Sequence, residues 1–175
     1  SRNLIPLFDA VIRAAGRGVP VRLSVVGPVS RAFRTHVEHT GSDAVKFVGP
    51  VSYRDSLDWM RRVDGLVAVG NQGTAQVPGK TYMYLASGRP ILMIGQNKRD
   101  RDPTWRLLKD FVGAYWSTMN TDELERVVVE MYERHRREPG YASARLDDPA
   151  LGRYEWNALA GEFTRLVVDA AGGHG

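Results

Sequence analysis

Lys80 is the residue of this chain best placed to do chemistry, and its neighbours say what kind. It follows Pro78-Gly79 and opens a short apolar segment, Thr81-Tyr82-Met83-Tyr84-Leu85-Ala86, that Gly88 stops before the run Pro90–Ile94. That pattern predicts a glycine-opened loop, a helix over Lys80–Ala86, and then a strand. An ammonium at a helix start, beside the end of the preceding strand Leu66–Val69, joins free backbone N–H groups and the positive end of a helix dipole. Phosphate is the chemistry such a place suits, so a nucleotide or a nucleotide-linked molecule is the predicted ligand. The stretch is not a Walker A loop. Five residues, Thr74 to Pro78, separate Gly73 from Gly79 where G-x-x-x-x-G-K-[ST] has four, and no apolar strand ending in Asp follows to hold magnesium.

The other titratable residues fit structural duties better. His36 and His39 lie three apart on a predicted helix, but no carboxylates complete a metal site around them, so the sequence implies no metal. Asp64 reads as a turn cap and Arg89 as the partner of a nearby carboxylate. Trp59, Met60 and Met83 read as core or cleft lining, and Trp105 and Trp116 as packing.

The elements that would position these residues alternate. Helices are predicted over Leu4–Ala15 (opened by Ser1 or Asn3), Arg31–His39, Tyr53–Val63 (capped by Ser52), Lys80–Ala86, Pro103–Phe111, from Thr121 as cap to about Arg137, and Tyr154–Ala170. Strands are predicted over Val21–Val26, Val45–Val48, Leu66–Val69, Pro90–Ile94 and Ala114–Ser117. Apolar strands alternating with helices imply an α/β fold with a doubly wound, mostly parallel, Rossmann-like sheet covered on both faces. Ligands bind such sheets beyond the strand C-termini. Those tips carry Gly27-Pro28, Gly49-Pro50-Val51, Gly70 to Gly73 and Gly95-Gln96-Asn97. Glycine there admits either a close ligand or a tight turn, and the sequence leaves both readings open.

Bulk properties narrow the class. The chain has 175 residues, 43% apolar and 25% charged, which predicts one ordinary folded domain over 1–175. It has no cysteine, hence no disulfide framework and no thiolate metal site. No apolar run approaches the roughly 20 residues that span a bilayer and no signal peptide opens the sequence, so a cytoplasmic location is expected. The net charge of +4 is carried mostly by arginine, in clusters at Arg61–Arg62, Lys98–Arg101 and Arg134–Arg137. Without interleaved aromatics or a nucleic-acid motif these read as solvated helix faces, and nucleic acid is not an expected partner. Peripheral membrane contact stays open.

Three segments carry a family resemblance. Arg2-Asn3-Leu4-Ile5-Pro6-Leu7-Phe8-Asp9-Ala10, Val45-Lys46-Phe47-Val48-Gly49-Pro50-Val51 followed by Val63-Asp64-Gly65-Leu66-Val67, and Pro78-Gly79-Lys80 through Gly88-Arg89-Pro90-Ile91-Leu92 together resemble the C-terminal, donor-binding half of a GT-B glycosyltransferase, closest to glycosyltransferase family 4. The resemblance implies one half of a GT-B architecture, a nucleoside-diphosphate sugar as donor substrate, and no separate cofactor. It implies an acceptor domain and a strand ahead of Arg2, as in a protein roughly twice as long, and no turnover by the isolated piece. By resemblance Arg2 contacts the diphosphate, backbone around Val48, Gly49 and Val51 meets the base, and Asn71, Gln72, Gly73, Thr74, Gly79 and Lys80 lie near the diphosphate and sugar. Catalytic residues are not identified.

The sequence departs from the family pattern at two places. Where members carry paired glutamates this chain has Ala75 and Met83. Neither accepts the hydrogen bond that a charged carboxylate would, a loss of about 1.5–3 kcal/mol for each hydroxyl. A non-catalytic binding or scaffold domain is therefore an alternative reading, and a nucleotide-sugar epimerase, which shares the two-domain architecture, is another. A receiver-type signalling domain is disfavoured, because no acidic cluster follows the first strand.

Overall fold

The computed structural model describes residues 3–71 and 76–138. The predicted helix over 154–170 lies outside them. In chain order the elements are α1 (Ile5–Gly16), β1 (Leu23–Val26), α2 (Arg31–Thr40), β2 (Val45–Gly49), α3 (Tyr53–Arg62), β3 (Leu66–Val69), α4 (Lys80–Ala86), β4 (Ile91–Ile94), α5 (Pro103–Leu108), β5 (Ala114–Ser117) and α6 (Thr121–Arg137). A 3-10 turn at Arg99–Arg101 precedes α5.

Local chemistry starts these helices where the sequence says it should. Ser30 accepts a hydrogen bond from the Phe33 amide at the head of α2, and Ser52 accepts one from the Asp55 amide at the head of α3. For α6 the cap is Asn120 and not Thr121: its Oδ1 accepts from the Glu123 amide at 3.0 Å. At α1 the Asn3 carboxamide accepts from the Ile5 amide at 3.2 Å, and Pro6 sits in the first turn, where no intrahelical donor is needed. Helix α5 ends at Leu108, short of the predicted Phe111.

All strand pairs are parallel, but they form two sheets and not one. β1 pairs with β2, and β3, β4 and β5 pair in that order. Strand β4 has a neighbour on both edges, and Ile91–Ile94 are at most 1% exposed. A purely apolar run is what a strand buried on both faces requires. By contrast every residue of β1 is half-buried, and β3 buries only Ala68.

The sheets are covered on two sides. On one, Leu7, Phe8, Val11 and Ala14 of α1 join Leu124, Val127 and Val128 of α6, with Leu92 and Ile94 below them. Phe8 sits edge-on to Phe33 and Phe47, with ring centroids 5.6 and 5.7 Å away. Arg17 reaches Glu125 at 3.0 Å and Arg13 reaches Asp122 at 2.8 Å, tying α1 to α6. On the other side Leu85, Trp105, Leu108 and Phe111 pack on Ala68, Ile91 and Met93.

Two glycines at the strand tips are there for packing. A Cβ on Gly95 would lie 1.8 Å from the Trp116 ring, and one on Gly70 would lie 2.8 Å from Met93 Cε. The Gly95→Ala substitution should destabilise the chain by about 1–3 kcal/mol, the usual cost of overpacking. Gly16→Ala, where a Cβ meets nothing within 4 Å, serves as the reference and should be neutral or slightly stabilising. Thermal unfolding of the two variants checks this, and equal melting temperatures would refute it.

Candidate functional site

The predicted site residues that are described lie near two strand tips, which belong to different sheets. One is the end of β2. Gly49 has φ +88°, a left-handed conformation that strains other residues, and its carbonyl accepts from the Gly27 amide at 2.8 Å. Gly27, at the end of β1, has φ +124°. Here the glycines serve chain reversal, whereas Gly70 and Gly95 serve packing. Val48 and Val51 are half-buried beside this turn. The register between β1 and β2 also shifts at Val25–Val26, so the tip backbone leaves the regular ladder there.

The other tip is the end of β3, built by side chains that the sequence does not single out. Asp102 is 0% exposed, and its Oδ1 accepts from the Thr104 amide (2.9 Å) and the Trp105 amide (3.1 Å), capping α5. Its Oδ2 accepts from the Asn97 carboxamide at 3.5 Å, and the same carboxamide donates to the Asn71 carbonyl at 2.9 Å. Asn71 in turn donates to the Gln76 carbonyl at 3.4 Å. A buried cap thus braces the loop after β4, and that loop braces the tip of β3. The signal for it was present in Asp102-Pro103, an Asx cap ahead of a proline at the first helical position, but it reads as a helix start and not as a brace.

Lys80 is exposed, opens α4, and lines an apolar slot together with Val26 and Val69. Its setting is plainer than the sequence implies. Helix α4 has seven residues, and Gly79 at its head makes no side-chain cap. The Thr81 and Tyr82 amides already donate to the carbonyls of Pro78 (2.9 Å) and Gly79 (3.3 Å). Gly79 and Lys80 keep the amides at this terminus that no described acceptor takes, so the lysine charge matters more than the helix end. Tyr84, one turn on, lines the same slot; burial pushes its hydroxyl above the usual tyrosine range, so it stays neutral.

Arg2, Gln72, Gly73, Thr74 and Ala75 lie outside the described residues. Met83 is half-buried, and its thioether is a weak acceptor at best. The Arg89 guanidinium donates to the Arg61 carbonyl at the end of α3. His36 pairs with Asp9 at 2.7 Å, and Asp64 lies 3.9 Å from His135. Among the described residues no three potential metal ligands come together. Among them, too, no helix is long and apolar enough to cross a membrane.

No protein-family profile and no curated protein matches this sequence. Solved structures do match its fold. The crystal structure of Anabaena Alr3699/HepE in complex with UDP-glucose superimposes over 91% of this chain with a TM-score of 0.62 and 15% identity. The chain spans 44% of that protein, less than half its length. AviGT4, a glycosyltransferase involved in avilamycin A biosynthesis, matches 90% of this chain and 48% of its own at 18% identity and a TM-score of 0.48. The fold is therefore the Rossmann-like α/β arrangement of one half of a GT-B architecture.

Removing the Asp102 carboxylate tests the brace. Asp102→Ala leaves the Thr104 and Trp105 amides without an acceptor, so it should cost about 1–3 kcal/mol in denaturant unfolding and shift the Asn71 and Asn97 resonances. Asp102→Asn keeps one carbonyl acceptor and should cost less. Unmoved Asn71 and Asn97 signals in Asp102→Ala would mean that the tip is held by other contacts.

Proposed function

We propose that this chain is the donor-binding half of a glycosyltransferase that takes a nucleoside-diphosphate sugar and, with an acceptor domain of the same protein, transfers the sugar. One observation carries the reading: 91% of the chain shares the fold of a protein solved with UDP-glucose.

In this proposal the base lies against main chain around Val48, Gly49 and Val51, where Gly49 turns the chain at the end of β2. The diphosphate lies between the two tips, within reach of the Lys80 ammonium and the Gly79 and Lys80 amides, with Arg2 and the Gln72–Thr74 loop as further contacts. Transfer builds negative charge on the departing diphosphate. A fixed cation and amide dipoles stabilise that charge more than they stabilise the bound sugar nucleotide, which is the condition for catalysis. The proposal needs no separate cofactor.

Met83 favours a second reading. If the ribose hydroxyls find no acceptor there, the domain binds a nucleotide weakly and serves as a non-catalytic scaffold. Sugar transfer by the full-length protein would eliminate that reading, and conversion of the donor to its epimer would point to an epimerase.

The charge of Lys80 is the testable element. In the full-length protein Lys80→Ala should weaken UDP binding about ten- to a hundredfold, the worth of one hydrogen-bonded charge, and leave uridine binding unchanged. Calorimetric titration with both ligands checks it. An unchanged UDP affinity would remove Lys80 from the site, and an equal loss for uridine would indicate a general disturbance.

A further inference from the structure

Of the basic clusters in the sequence, the structure sets one apart. Arg61 lies 3.8 Å from Asp58, Arg134 3.4 Å from Glu138 and Arg136 3.1 Å from Glu133, so two clusters sit on helices beside their own carboxylates. Lys98, Arg99 and Arg101 are different. All three are exposed, and among the described residues none of them pairs with a carboxylate. The nearest buried acid, Asp102, is taken up by the Thr104 and Trp105 amides.

The backbone decides where these side chains go. The 3-10 turn is closed by the Arg101 amide on the Lys98 carbonyl at 2.9 Å and by the Asp102 amide on the Arg99 carbonyl at 3.2 Å. With three residues to a turn, positions three apart fall into line, so Lys98 and Arg101 leave on one side. Arg99 leaves on another, and its guanidinium lies 4.6 Å from the ring of the buried Trp105. Like charges in line repel, and no acid separates these two. Nor is the turn loose, because it ends in the buried Asp102 cap and starts beside Asn97, which donates to the Asn71 carbonyl at 2.9 Å. Two cations braced in line against their own repulsion form a clamp for an anion.

Asn97 also gives the clamp its place, since it ties the loop after β4 to the tip of β3. Strand β4 pairs with one edge of β3, whereas residues of β1 and β3 share the slot beside Lys80. Along the strand ends the order is therefore Gly49, the slot, Asn71, and then Lys98 and Arg101. In the donor-half reading, on which this inference rests, the base and the diphosphate occupy the first places and the sugar lies beyond them. We propose that Lys98 and Arg101 hold a carboxylate on that sugar, so that the donor is a nucleoside-diphosphate uronic acid. The two carboxylate oxygens accept from the Lys98 ammonium and from the planar fork of the Arg101 guanidinium. The negative charge between them offsets their repulsion, which the neutral hydroxymethyl group of an ordinary hexose does not. Both cations are exposed, so the clamp chooses between donors while the diphosphate contacts supply most of the affinity.

Calorimetric titration of the full-length protein with UDP, UDP-glucose and UDP-glucuronate tests this. UDP-glucuronate should bind about tenfold more tightly than UDP-glucose, the worth of two exposed ion pairs together. The double substitution Lys98→Ala and Arg101→Ala should abolish that preference without a matching loss for UDP. Arg99→Ala removes a charge of the same sign from another side of the same turn, and the preference should survive it. Equal affinity of the unsubstituted protein for the two sugar nucleotides would overturn the inference and leave the donor-half reading standing. A preference that persists in the double variant would overturn it too. So would one that Arg99→Ala lowers as far, because the general field of the loop would then be responsible. Failure to bind UDP at all would overturn the donor-half reading, and this inference with it.

Discussion

A parallel strand is stable when both of its edges and both of its faces are occupied, and β4 meets all four conditions. Strands β3 and β5 take its backbone groups, α6 and α1 cover one face, and α4 and α5 cover the other. The remaining elements can be graded by how nearly they approach the same state. β5 has one strand neighbour and alternates buried with half-buried residues. β1 and β3 have one neighbour each and no buried run, and α3 above them is fully buried nowhere. Burial thus falls toward the middle of the molecule, where a Rossmann-like sheet is normally densest.

The candidate site depends on this arrangement. In the proposal its base-facing half, at Gly49, ends the β1–β2 sheet, and its phosphate-facing half, at Asn71 and Lys80, lies beyond β3 of the other sheet. Whatever holds the sheets at a set spacing also sets the distance between the two halves. Helices α1 and α6 supply part of that restraint through their shared apolar face and the Arg17–Glu125 pair. The buried Asp102 cap supplies another part by fixing the tip of β3 against the loop after β4. Ligand binding across two sheets is sensitive to small shifts, because charge-assisted contacts lose strength steeply with distance and angle.

HepE shares the overall fold of this chain. At 15% identity the likeness speaks for the scaffold alone. Function on such a scaffold rests on particular residues, and the proposal above rests on the charge of Lys80 and the backbone at Gly49.

The sequence by itself determined the order and type of every described α-helix and strand, because apolar periodicity, caps and glycine stops are local properties of the chain. Ser30, Ser52 and the all-apolar Ile91–Ile94 mark their elements without reference to anything distant. Only the tertiary structure decided three further matters. It showed that Gly95 is required by the Trp116 ring, that a Cβ on Gly70 would crowd Met93 and Asp102, and that Gly49 is favoured by its own φ, a distinction invisible when all four tips read alike. It brought Asn71, Asn97 and Asp102 together, since a hydrogen bond between residues 26 apart leaves no periodic trace. And it divided the strands into two sheets, because strand pairing depends on which edges meet in space, and an unpaired edge looks the same in sequence as a paired one.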